Sequence, residues 1–152
     1  MEIIQRERKS TYEVYVAADG MEFRTAEECK KYEESANGVV MAKVRPMVIK
    51  EITEEDIFGF GSCDNTVWVA KPATQEDADT ILQAIIVLNP HLTKDDYKHI
   101  TERQRVLVQR ALDENDFIFI SRGYEMDCFW LIGTRNSMKE TLDGFTKTDE
   151  QA

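Results

Sequence analysis

The sequence predicts an α+β fold: a mainly antiparallel sheet of about five or six strands with four or five helices packed on it. Three observations carry that prediction. An alternating run, Tyr12-Glu13-Val14-Tyr15-Val16, leads into the turn dipeptide Asp19-Gly20. Thr25 and Thr74 each stand directly before an acidic segment with helical spacing. Two later runs, 117–120 and 128–132, are apolar at nearly every position, the pattern of buried neighbouring strands.

Taken in order, residues 1–11 read as a fraying start or short extension. The alternation around Val14 has the period of a half-buried strand. Asp19-Gly20 is expected to supply the positive backbone dihedrals of a tight hairpin, and 21–24 returns with Phe23 inward. Thr25 then caps a helix, with Glu28 completing a capping box and Cys29, Tyr32 and Ala36 forming an apolar stripe. Asn37-Gly38 is one place for this helix to stop; continuation through Val40 and Met41 also fits the pattern. Pro46 punctuates the chain before a strand at 47–52, and Thr53 to Asp56 resembles a helix start cut short by Gly59 and Gly61.

The run 66–70 is rich in β-branched and aromatic residues and reads as a strand. Thr74 caps the next helix; Glu76, Asp77 and Asp79 favour its positive end, and Ile81, Leu82, Ile85 and Leu88 make its buried face. Asn89-Pro90 ends it. Thr93 is expected to cap a short helix carrying Tyr97, and Thr101 with Gln104 to start a longer one whose Val106, Leu107 and Leu112 face the core. The runs 117–120 and 128–132 are expected to form a central antiparallel hairpin. Asn136 or Ser137 caps a last helix that Gly144 stops. The simplest organisation is one domain over 1–146 with a disordered tail over 147–152.

Charge narrows the function. The chain carries 19 basic and 29 acidic residues, a net charge of -10 and a pI of about 4.7. Such a field keeps a protein soluble and repels nucleic acid, so direct nucleic-acid binding is not expected. The acid is concentrated in 51–100, where ten acidic residues face only Lys71, Lys94 and Lys98. The first ten residues are too polar for a signal peptide, and no apolar run approaches the ~18 residues of a membrane span. Three widely spaced cysteines, Cys29, Cys63 and Cys128, suit reduced thiols in a cytoplasm.

No catalytic, metal or cofactor signature emerges. The cysteines lack paired metal-ligand spacing, and Pro90 and Thr93 break any helix that would align His91 with His99. Cys63 sits in a glycine-containing loop without a supporting nucleophile motif, and Gly59-Phe60-Gly61-Ser62 lacks the lysine of a phosphate-binding loop. Arg103, Arg105 and Arg110 fall on or near one helix, where Glu102, Asp113 and Glu114 offer ion pairs. Phe58, Phe60 and Tyr124 fall on loops, where core packing explains them less well than Trp68, Phe117, Phe119, Phe129 and Trp130 on strands.

The unit running from Val16 through Asp19-Gly20 and Phe23, then Thr25-Ala26-Glu27-Glu28-Cys29 and Tyr32-Glu33, resembles a strand-DG-F-helix-YE pattern of small, mostly uncharacterised tailed-bacteriophage proteins. The later run from Asp116 to Gly144 is similar to the ends of such proteins, and the resemblance covers about a third of the chain. It implies an early, non-virion product acting in the host bacterial cytoplasm, and it transfers no catalytic residue. The expected function is therefore a non-enzymatic acidic accessory protein that binds and inhibits a host protein with a basic surface, such as a defence nuclease. Glu54, Glu55, Asp56, Glu76, Asp77 and Asp79 are the expected contact carboxylates, with Phe58 and Phe60 as anchors. The alternative is a small-molecule (nucleotide) binder or sponge that uses Arg103, Arg110 and Arg122. The sequence carries no signal of oligomeric state.

Overall fold

The computed structural model describes residues 1–7, 11–53, 56, 65–123 and 128–151. Among them lie five α-helices and two antiparallel sheets, of three and four strands, so the class is α+β as predicted. The chain divides into two compact units, Met1–Pro46 and Met47–Ala152.

The first unit pairs β1 (Glu2–Glu7), β2 (Thr11–Val16) and the two-residue β3 (Glu22–Phe23) in that order. β1 is a full strand where the sequence suggests fraying. Its polar residues are tolerated on a sheet edge, and Ile4 sits opposite the buried Val14. The Asp-Gly turn also differs from expectation. Only Gly20 has positive φ, at 92°. Gly20 N–H donates to Ala17 O and Ala17 N–H to Met21 O, both at 2.9 Å, giving a three-residue loop closed by a left-handed glycine. Asp19 is instead buried and used through its side chain. It accepts from Met21 N at 3.2 Å and from the Tyr32 hydroxyl at 2.6 Å, tying loop to helix.

That helix, α1 (Ala26–Glu34), is capped by Thr25, which accepts from Glu28 N at 3.2 Å. Its end lies earlier than Asn37-Gly38. Ser35 terminates α1 and also caps α2 (Ala36–Val44), accepting from Gly38 N at 3.1 Å. Cys29 is buried on α1, while Ala36 is exposed and leaves the expected stripe. Val40, Met41 and Val44 bury α2.

After a 3-10 turn at Arg45–Met47, the second unit orders β4 (Val48–Thr53), β5 (Asn65–Ala70), β6 (Ile118–Gly123) and β7 (Cys128–Thr134) sequentially. The β6–β7 pair exists, but β7 is an edge strand and the centre belongs to β5 and β6. The register places Trp68 opposite Ile120 and Ile120 opposite Leu131. These residues, with Ala70, Ile118 and Phe129, are buried. Trp68 and Phe129 meet edge to face at 6.1 Å.

Two helices pack on this core. α3 (Gln75–Leu88) has the capping box Thr74/Asp77 and buries Ala78, Ile81, Ala84 and Ile85, with Leu82 and Leu88 half-buried beside them. Two 3-10 turns, Pro90–Thr93 and Asp95–Tyr97, replace the expected short helix. α4 (Lys98–Asp113) starts before Thr101, whose hydroxyl donates back to Leu92 O at 2.9 Å. Its buried residues are Gln104, Val108 and Ala111; Val106, expected inward, is 54% exposed. Asn115, at φ 52°, ends α4 with Asp116 N–H on Ala111 O and Asn115 N–H on Leu112 O, a Schellman closure.

α5 (Arg135–Gln151) begins after Thr134, which accepts from Ser137 N at 3.0 Å while Ser137 Oγ accepts from Thr134 N at 2.9 Å. Thr134, not Asn136 or Ser137, is thus the cap. Gly144 does not stop this helix, which continues into the stretch read as a tail. Leu142 and Phe145 on it are exposed. No helix among the described residues is long and apolar enough to cross a membrane.

Candidate functional site

Amphipathic α4 has two flanks, and each borders a groove. Against α3 lies a groove of about 270 Å³ lined by Gln75, Asp79, Glu102, Arg105, Val106 and Gln109 among others. Its two glutamines form a reciprocal amide pair: Gln75 Nε2 donates to Gln109 Oε1 at 2.9 Å, and Gln109 Nε2 returns to Gln75 Oε1 at 3.1 Å. Asp79 accepts from Gln75 Nε2 at 3.0 Å, and Glu102 pairs with Arg105 at 3.4 Å. The result is a cleft that sets Asp79 and Glu102 around the apolar Ala78, Leu82 and Val108, with exposed Val106 at its edge.

Between α4 and the edge strand β7 lies a second groove, of about 380 Å³, lined by His99, Ile100, Arg103, Gln104, Leu107 and residues 130–132. Gln104 is buried here for a specific reason. Its Nε2 donates to Leu131 O at 3.2 Å and its Oε1 accepts from Leu131 N at 3.0 Å, so one amide side chain occupies the outer edge of β7 as a strand would. Asn89 adds to this by donating to Phe129 O at 2.9 Å. His91 meets the Tyr97 ring edge to face at 5.1 Å and lies tilted to Trp130 at 6.2 Å, so both histidines come to lie beside Trp130.

The expected contact residues separate into three groups. Glu54, Glu55, Phe58 and Phe60, together with Cys63 and Tyr124, lie outside the described residues. Asp56 and Asp77 are turned onto their own backbone. Asp56 accepts from Thr53 N at 2.9 Å, a bond that holds its carboxyl below the usual range. Asp77 accepts from Ala73 N and Thr74 N at 2.9 and 3.1 Å. Glu76 and Asp79 remain exposed on α3.

The three arginines of the alternative reading have different surroundings. Arg122 is 3% exposed and lies over Trp68 at 4.5 Å. Arg110 bridges Glu114, at 2.8 Å, and Glu140, and these hydrogen bonds push its pKa up while holding that of Glu140 down. Arg103 alone of the three lines a groove with Trp130. The expected ion pairing of this helix is found at Arg105–Glu102 and Arg110–Glu114.

Sequence reasoning missed Glu102, Gln109 and His99 as groove residues. The available signal was Val106, an apolar residue off the stripe formed by 104, 108 and 111. Cys29 is enclosed, and burial pushes its thiol pKa up, the opposite of an activated nucleophile. Among the described residues, no group of three or more His, Cys, Asp or Glu side chains converges as a metal site. Compared with protein-family models, curated proteins and solved structures, the chain matches none of them.

Proposed function

We propose that this chain is a non-enzymatic accessory protein of the tailed-bacteriophage type that binds a host protein in the bacterial cytoplasm. The contact surface is the acidic face of α3, with Glu102 of α4 beside it. One observation carries the reading: Glu76 and Asp79 stand exposed on α3, and Asp79 and Glu102 border a groove edged by the exposed apolar Val106. Carboxylates around a small apolar contact suit a basic protein surface better than a substrate, because the charges steer encounter while the apolar centre excludes water. The unit that holds this face has eleven basic and twenty acidic residues, against eight and nine in the first unit. A nuclease whose basic channel accepts carboxylates in place of phosphates is the partner class this charge suits.

The test is a pull-down from bacterial lysate at low and high salt, read by mass spectrometry and followed by titration with the purified partner. Wild type is expected to retain a basic protein at low salt and release it at high salt. Glu76→Lys combined with Asp79→Lys is expected to weaken that binding about tenfold or more. Binding indifferent to both salt and charge reversal overturns the reading.

A further inference from the structure

We propose that the groove between α4 and β7 is a binding site for a small aromatic acid, separate from the acidic face on the other flank of α4. The argument begins with how each arginine of α4 is spent. Arg105 pairs with Glu102, and Arg110 with Glu114 and Glu140. Arg103 lines the groove, is exposed, and among the described residues has no carboxylate partner. In a unit with twenty acidic residues, the Arg103 guanidinium is left free to meet an anion from outside.

The body of the groove points to the rest of the ligand. Ile100, Leu107, Leu131 and Ile132 make its walls apolar, and Trp130 offers a ring face or edge for a flat group. Its volume of about 380 Å³ lies at the small end of ligand sites. The floor is rigid and satisfied, because both amide atoms of Gln104 are committed to Leu131. A ligand therefore displaces no internal hydrogen bond. The one strong polar anchor facing the cleft is cationic, with His99 one helical turn before Arg103 on the same wall. An apolar body with a single carboxylate or sulfonate head satisfies both features, the head lying on the planar fork of Arg103. Being carried by Arg103 and Trp130, the site stands or falls independently of Glu76 and Asp79.

Anilinonaphthalene sulfonate supplies this chemistry, and phenylnaphthylamine supplies the same body without the charge. Fluorescence titration of wild type is expected to show one saturable sulfonate site per chain. Arg103→Ala is expected to weaken it by about ten- to a hundredfold, the loss of a charge-assisted bond. It should leave the neutral probe within about twofold. Lys94→Ala, which removes an exposed charge outside the groove, is expected to change neither. Unsaturable binding by wild type, unchanged sulfonate affinity in Arg103→Ala, or an equal loss in Lys94→Ala overturns the proposal. Parallel loss of the neutral probe in Arg103→Ala overturns it as well, since the arginine would then be shaping the cleft rather than reading charge.

Discussion

Two residues show how closely local chemistry governs this chain. A Cβ on Gly38 would stand 2.0 Å from the carbonyl oxygen of Tyr32, so the turn between α1 and α2 closes only over a hydrogen atom. Gly38→Ala is expected to destabilise the protein by about 2 kcal/mol or more, measured by urea unfolding, because the clash is with backbone. Glu140 gives a pH signature. Its hydrogen bond from Arg110 holds its folded-state pKa below the ordinary value of 4.5. A depressed carboxylate stabilises the fold above its unfolded pKa, and that contribution disappears as pH falls through the folded value. The melting temperature of Glu140→Gln should therefore drop less between about pH 7 and about pH 3 than that of wild type. Equal drops would show that the ion pair contributes nothing in solution, the common outcome for exposed pairs.

At the level of elements, β7 is the informative strand. An edge strand offers unpaired backbone groups to any extended chain, and here a helix residue answers them. Gln104→Leu keeps the side chain's bulk but strands the N–H and C=O of Leu131. The expected cost is about 2–4 kcal/mol in chemical denaturation, with oligomers appearing on size-exclusion chromatography as the edge finds other partners. The same contact explains why the inward face of α4 differs from the one its apolar residues suggest. Gln104 has the form of a polar capping residue, so the sequence pattern points to the apolar Val106, Leu107 and Leu112 as the inward set. Once a glutamine is needed against the strand, the inward stripe becomes 104, 108 and 111, and Val106 rotates out.

For the whole molecule, what was legible in the sequence followed backbone rules. Thr25, Thr74, Gly20 and the turn at Asn89-Pro90 announce themselves because each meets a local need that one or two side chains satisfy. β1 and the edge position of β7 depend on partners distant in sequence, and no short window contains them. The site follows the same division. Glu76 and Asp79 were legible as exposed acid on a capped helix, whereas the convergence of His99, Arg103 and Trp130 required a strand and a helix about thirty residues apart. Asp77 shows the opposite error, since the feature that marks it as acidic near a helix start is the one that commits it to the cap. Ser35 carries a consequence of another kind. One residue closes α1 and opens α2, so there is no linker between these helices to absorb a change in length. An inserted residue there would turn the following helix by roughly 100° about its axis and pull Gly38 away from the Tyr32 carbonyl. Among descendants of this sequence, gains and losses of residues should be purged from that junction, even where substitutions around it are tolerated.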